Sequence, residues 1–193
     1  SEITRWGKIA RKGYYCVMEP RADGIQISRD CRLRCGKPED LPGVLSILNH
    51  YILNTHHTFD TVPFSVDDKS DWMAQFNDTG PYQIVVAESD DRILGYAHSC
   101  AFKPKPAYDI TVETTVYLQH ELTGSGLGGR LMNRLLEHIS ETEIRSAVAM
   151  ITLPSPASEA LHQKLGYREA GKLKEAGFKF QRYWDVGLYQ KFF

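Results

Sequence analysis

The 193-residue chain predicts an α/β domain, a mixed and mostly antiparallel central sheet with helices on both faces. Three observations carry that expectation. Runs rich in β-branched and aromatic residues, bounded by Gly, Pro, Asn, Asp and Ser, recur as strands. Between them apolar residues recur at helical spacing, as at Leu127, Leu131, Leu135 and Ile139. The two kinds of segment interleave as β-α-α-β-β-β-α-β-α-β-β, the order of a layered sheet.

Each element has its own signal. Residues 32–35 read as a first strand. Lys37-Pro38-Glu39-Asp40 opens a helix that turns Leu41, Val44, Leu45, Leu48 and Ile52 inward. A polar-aromatic loop, 54–65, leads to a shorter helix over 66–77 with Trp72, Met73 and Phe76 inward. After the break at Gly80-Pro81, residues 82–87 and 92–100 form a hairpin around Ser89-Asp90-Asp91. A proline-rich loop, 102–108, runs into the strand that carries Glu113. The next helix ends near Ser140, a buried strand spans 147–153, and a helix from about 158 to 165 stops at Gly166. The tail supplies strands at 167–173 and 184–192. Residues 1–28 are mixed in character, with a short strand at 13–18 and breakers at Pro20 and Gly24. The division is therefore an N-terminal extension, 1–30, and one domain, 31–193.

Composition narrows the function classes. A net charge of −1 gives no global field toward nucleic acid or membrane. No apolar run approaches a bilayer span, and no apolar signal segment opens the chain. Cys16, Cys31, Cys35 and Cys100 show neither CxxC spacing nor an adjacent His, and read as reduced thiols of a cytoplasmic protein.

The most informative stretch is 111–131. Thr114, Thr115, Val116, Tyr117 and Leu118 favour an extended chain, and Gly124, Gly126, Gly128 and Gly129 then open the helix. Unpaired amides and the positive end of the helix dipole converge there as an anion site. Gly124 to Gly129 has Walker-loop spacing, but Arg130 and Leu131 follow instead of Lys and Ser/Thr. The same residues match GxGxxG, yet the next strand ends in Leu153-Pro154 without the acidic residue that holds a ribose. A loop that grips the diphosphate of coenzyme A by main-chain amides, without a metal, meets no contradiction. The plainer alternative is a helix cap whose glycines allow close packing.

That element order, with the glycine turn after the fourth core strand, resembles the GNAT superfamily of acetyl-coenzyme A-dependent N-acetyltransferases. Within it the chain looks most like the phosphinothricin and methionine sulfoximine N-acetyltransferases and related amino-acid acetyltransferases. The resemblance rests on Asn49-His50-Tyr51-Ile52, Ala107-Tyr108-Asp109, Glu113-Thr114-Thr115-Val116-Tyr117, Gly126-Leu127-Gly128, Leu161-His162, Leu165-Gly166-Tyr167, Ala176-Gly177-Phe178-Lys179 and Trp184-Asp185-Val186-Gly187. Together these span 31–193. The resemblance implies a sheet splayed at its fourth and fifth core strands. It also implies acetyl transfer to a small amino acid, of a detoxifying kind, without metal and in a homodimer. Val116, Tyr117 and Leu118 would hold the pantetheine arm, and Thr123, Gly124, Ser125, Gly126, Leu127, Gly128 and Gly129 the diphosphate. Thr123 replaces the usual Gln or Arg, a loss that Arg130 partly offsets. Ser155 stands where the family usually has Asn for a pantetheine amide. Both departures predict weakened cofactor contacts.

Acetyl transfer needs a neutral amine, so a base must take its proton. Glu113 is the candidate. It lies in a central strand, where a solitary carboxylate is costly unless paired or useful, and burial raises its pKa. Alternation puts Glu113, Thr115 and Tyr117 on one face, toward the cleft. The plainer reading of Glu113 is a salt bridge. His162 is the second candidate, at a position where many GNAT enzymes place a Tyr that protonates the departing thiolate; a lone helix His is otherwise a packing residue. For the acceptor, Lys105 offers a cation for its carboxylate, Tyr108 a wall and Phe59 an apolar side, with Lys103 read as solvated surface. His50, His56 and His57 read as polar loop residues, not metal ligands. Rival readings are a GNAT enzyme for another amine, such as a polyamine, peptide or antibiotic, and a sensor that binds acetyl-coenzyme A without turnover.

Overall fold

The computed structural model describes residues 31–193, so the extension expected at 1–30, with its strand at 13–18, lies outside the described residues. Ile84-Val85-Val86-Ala87 has apolar side chains on both sides of the pleat, a pattern that calls for cover from two directions. It becomes the core of β2 (Ile84–Ser89). Val85 and Ala87 enter one buried cluster; Ile84 and Val86 enter the other. Antiparallel partners flank it, β1 (Arg32–Cys35) and β3 (Arg92–Ala101). β3 then pairs antiparallel with β4 (Thr111–Leu118), and β4 pairs parallel with β5 (Ser146–Leu153). β7 (Arg182–Phe192) lies beside β5, and β6 (Arg168–Lys179) forms the far edge, so the seven strands run β1-β2-β3-β4-β5-β7-β6.

One face is covered by α1 (Leu41–Asn54) and α2 (Val66–Ala74), which pack on Ile84, Val86, Ile93 and Tyr96. The other is covered by α3 (Leu127–Ser140), whose Leu127, Leu131, Leu135 and Ile139 are all fully buried. Each leucine in that stripe contributes roughly 2 kcal/mol of burial. α4 (Pro156–Lys164) follows β5. At the β1 edge, Arg34 donates to both oxygens of Asp40 at 2.6 and 2.7 Å and also to Glu88, which ties the start of α1 to β2.

The expected element order holds throughout, and the differences lie at ends. The second strand begins at Ile84, two residues late, and continues to Ser89, because Asp90 and Asp91 both take positive φ and close a two-residue turn. α2 ends at Ala74, not 77. α4 begins at Pro156, since proline at the first turn forfeits no hydrogen bond. β6 runs six residues past the expected 173. Its register slips between Leu173 and Gly177, and Asp185 accepts from Lys174 Nζ and Glu175 N at 2.8 and 3.0 Å across that bulge. Phe180 and Gln181 make the hairpin turn with φ of 53° and 55°, a conformation their side chains do not announce.

His98 on β3 is 8% exposed, surrounded by the rings of Trp72, Phe76 and Tyr96, and its Nδ1 has no hydrogen-bond partner. Burial, and then Lys69, push its pKa from 6.5 down to about 4. The unfolded chain takes up this proton first as the pH falls. The stability held by neutral His98 is therefore complete above about pH 6.5 and drains at roughly 1.4 kcal/mol per pH unit until about pH 4. Urea unfolding at pH 7 and pH 5 should show wild type losing about 2 kcal/mol more than His98→Phe across that interval.

Candidate active site

The site begins where a ladder stops. β4 and β5 pair at Thr111–Ser146, Val112–Ala147 and Glu113–Val148, and no further. On their outer sides β4 stays on β3 as far as Leu118, and β5 stays on β7 as far as Leu153. Beyond Glu113 the two strands therefore part, with the inner edge of each left unpaired by any strand. The apex is fixed by Thr114, whose hydroxyl lies 2.8 Å from that of buried Tyr167 and donates to Val148 O at 3.4 Å. The gap opens into a cavity of about 420 Å³ walled by residues 114–118 of β4 and 149–152 of β5.

At its mouth the glycine turn adopts the conformation its composition demands. Gly124 and Gly126 have φ of +84° and +87°, left-handed values that side chains resist. The first intrahelical bond of α3 is Arg130 N to Gly126 O at 3.3 Å, so the amides of Gly128 and Gly129 have no acceptor within the helix. An added Cβ at either glycine would meet only ordinary contacts, from 3.5 Å outward, with Leu161 the nearest. Their bareness thus keeps the backbone open to the cavity. Thr123, Gly124, Gly126, Gly128 and Gly129 line it. Ser125 and Leu127 are not among the lining residues: Ser125 Oγ accepts from Leu127 N at 3.3 Å, and the Leu127 side chain is fully buried in the core. Ser155 lines the cavity from the start of α4.

His162 lines the cavity from α4 and is only 3% exposed. Its Nδ1 lies 2.8 Å from Ser158 O. A carbonyl only accepts, so Nδ1 carries the proton and Nε2 presents a lone pair. That Nε2 is buried with no hydrogen-bond partner among the described residues. Burial lowers the His162 pKa, with the Ser158 bond opposing, so the ring is neutral at pH 7. Its edge-to-face contact with Tyr167, 5.1 Å between centroids, ties it to the apex.

Glu113 is the last β4 residue paired to β5, half-buried, on the face opposite Thr114. It does not line the cavity as Thr114 and Thr115 do. Burial raises its carboxyl pKa, with Lys103 opposing. No ion pair to Glu113 forms within 4 Å among the described residues, so the salt-bridge reading is not the one realised. The cross-strand Cys100 thiol is pushed up to about 11 by burial and by Glu113.

The remaining expectations divide. Val116, Tyr117 and Leu118 line the cavity as expected. Lys105 and Tyr108 do not: both are exposed on the turn before β4, with Tyr108 edge-on to Phe102 at 5.7 Å. Phe59 also stands off the cavity, its ring laid on the backbone of Gly177. His50 stacks on His120 at 4.4 Å and His56 on Trp184 at 4.0 Å. The described residues contain no group of three or more His, Cys, Asp or Glu placed to hold a metal ion, and no helix long and apolar enough to cross a membrane. Tyr51 and His57 line the cavity and were not singled out for it. Tyr51 follows Leu48 by three residues on α1, and its ring meets Tyr117 of the cavity wall at 4.9 Å between centroids.

A bent cluster of free amides, an unpaired strand edge and a buried, unpartnered imidazole nitrogen together suit a ligand with a diphosphate head and an amide-bearing arm. Comparison with known proteins gives the same answer. The profile of the Acetyltransferase (GNAT) domain family matches residues 33–188. The chain belongs to the GNAT acetyltransferases. It is 38% identical to a phosphinothricin N-acetyltransferase of Streptomyces coelicolor, over 84% of this chain and 96% of that protein. With an L-methionine sulfoximine/L-methionine sulfone acetyltransferase of Pseudomonas aeruginosa it shares 30% identity, over 78% and 88% of the two chains. The crystal structure of a GNAT superfamily phosphinothricin acetyltransferase from Sinorhizobium meliloti in complex with acetyl-coenzyme A superposes with a TM-score of 0.79, at 31% identity, over 83% of this chain and 87% of that one. This GNAT enzyme is thus an acetyl-coenzyme A-dependent N-acetyltransferase, and its splayed mixed sheet is the fold the sequence led one to expect.

Gly126→Ala should strain the turn by about 1 kcal/mol at its left-handed φ and swing the neighbouring amides out of line. Calorimetry should find acetyl-coenzyme A binding weakened at least about fivefold, with the melting temperature lowered by only a few degrees.

Proposed function

We propose that this enzyme acetylates the α-amino group of a small amino acid or analogue of the phosphinothricin and methionine sulfoximine type, by direct attack within a ternary complex. One observation carries the reading: a half-buried carboxylate with no ion pair within 4 Å among the described residues, Glu113, sits at the point where β4 and β5 part. The names of the relatives point to acceptors of this class.

Acetyl-coenzyme A supplies an activated thioester. Residues 116–118 would hold its arm along the free edge of β4, and the amides of Gly128 and Gly129, with Thr123, Gly124 and Gly126 shaping the turn, its diphosphate. Ser155, with one hydroxyl, offers a single contact to the arm. Glu113 takes the proton of the acceptor's ammonium group, and its raised pKa brings it closer to the working pH for that task. His162 works from the opposite side of the sheet. Neutral, with Nδ1–H committed to Ser158 O, it offers only a lone pair at Nε2, so it must gain a proton before passing one to the departing sulfur. It therefore relays a proton and does not store one. The reading includes a homodimer, for which exposed Phe178, Phe180 and Tyr183 on the β6–β7 hairpin supply apolar surface.

Thiol release from acetyl-coenzyme A across a panel of amino acids, polyamines and peptides tests the acceptor class, with phosphinothricin and methionine sulfoximine expected among the best. Glu113→Gln should lower kcat by about 10²- to 10³-fold, leave coenzyme affinity unchanged and abolish the rise in kcat/KM as the pH climbs through the Glu113 pKa. Turnover confined to polyamines, or a Glu113→Gln enzyme with wild-type kcat, would contradict the proposal.

A further inference from the structure

The connection between α1 and α2, residues 55–65, has no regular structure, yet its His57 borders the cavity and Phe59 follows two residues later. Such a loop stays put only if something holds it. Its far end is clasped by Asn49, whose side-chain amide donates to Phe64 O at 2.8 Å and accepts from Phe64 N at 2.9 Å. Its middle is held from another part of the chain, the end of the β6–β7 hairpin.

Three contacts make that attachment. Lys179, at the end of β6, donates from Nζ to Thr58 O at 2.8 Å. The Phe59 ring lies so close to the Gly177 backbone that a Cβ there would fall 2.2 Å from its carbons. His56 stacks on Trp184 with ring planes 3° apart and donates from Nε2 to Pro154 O at 3.1 Å, while Trp184 Nε1 donates to Lys179 O at 2.9 Å. Tyr117, in the cavity wall, closes the circuit by donating from its hydroxyl to His57 O at 3.4 Å.

Lys179 is the unexpected member. It is 5% exposed, whereas lysine is almost never buried unless paired. Among the described residues it has no ion pair within 4 Å. Its ammonium is instead aimed at a loop carbonyl. Desolvation lowers its pKa, with the Asp60 charge on the same loop opposing, and the ammonium also lies 5.2 Å from the Phe180 ring centroid. No β6 residue lines the cavity, and the contact of Lys179 with the site runs through Thr58 of the loop.

We infer that Lys179 is a positioning residue for the amino-acid acceptor: by pinning the Thr58 carbonyl, it sets Phe59 and His57 as one side of the acceptor's approach to Glu113. Gly177 is its counterpart, leaving the space that lets the Phe59 ring seat. The inference rests on the amino-acid reading above.

The test uses the full chain, with Lys179→Met to remove the ammonium and keep the stem, Lys179→Arg to restore a donor, and Gly177→Ala to displace Phe59 should the first variant fail to fold. Phosphinothricin and acetyl-coenzyme A are varied independently, and amide exchange is followed over residues 55–62. Lys179→Met should raise KM for phosphinothricin about tenfold, the worth of one charge-assisted hydrogen bond, with kcat and coenzyme KM within about twofold of wild type. Exchange over 55–62 should quicken, Lys179→Arg should recover most of both effects, and Gly177→Ala should reproduce the rise in acceptor KM. An acceptor KM unchanged in Lys179→Met, or a rise shared equally by both substrates, would overturn the inference. A wild-type enzyme that acetylates no amino acid would instead sink the reading beneath it, and unchanged loop exchange in Lys179→Met would sink the clamp whatever the acceptor.

Discussion

The structure depends on one constraint: β4 and β5 are tied together for three residues and held apart after that. Each strand is gripped on its outer side by an antiparallel neighbour, so neither can collapse onto the other. Backbone groups left without a partner inside a protein are costly, and folded chains rarely leave them so. Here a row of them faces a cavity, and the Thr114–Tyr167 hydrogen bond holds the two strands at the apex of the gap. An extended ligand carrying its own amides satisfies what the sheet leaves unsatisfied. The same economy operates at the glycine turn, where left-handed residues and bare helix amides leave donors open to the cavity.

The parted strands also organise the chemistry. Because side chains alternate along β4, Glu113 and Thr114 face opposite sides of the sheet. His162 joins Thr114 and Tyr167 on one side, while Tyr117, Tyr51 and the α1–α2 loop stand with Glu113 on the other. The gap between β4 and β5 opens one face of the sheet to the other. In the proposed reaction, a proton leaving an amine on one side and a thiol leaving on the other would be served by two groups that never compete for the same position. The two pKa shifts suit that division: burial biases Glu113 toward holding a proton and His162 toward shedding one.

Much of this was legible in the residues. Period-two and period-3.6 patterns located every core element, and the glycine turn announced an anion site because left-handed backbone and helix amides are properties of local sequence. The helical period that marked Leu127 as one face of α3 also places its side chain in the core, fully buried. Lys105, from the proline-rich loop, and Tyr108, from the Ala107-Tyr108-Asp109 segment, lie exposed on the short turn before β4, an exposure that no periodicity of the loop announces. Tyr51, His57 and the pairing of Phe59 with Gly177 were out of reach. Tyr51 and His57 depend on contact with Tyr117 of β4, and Phe59 on contact with β6, and no periodicity encodes either. The Phe180-Gln181 turn and the bulge before Gly177 escaped because exposed Glu175, Phe180 and Gln181 take left-handed conformations that their side chains disfavour.

The central claim is that the unpaired edge of β4 receives the arm of acetyl-coenzyme A as a strand would. Amide hydrogen exchange of the enzyme with and without saturating acetyl-coenzyme A tests it most directly. Those amides of residues 114–118 that are not bonded to β3 should slow sharply on binding, together with those of 124–129. Binding that leaves the β4 amides exchanging at their free rate, with protection confined elsewhere, would contradict the account.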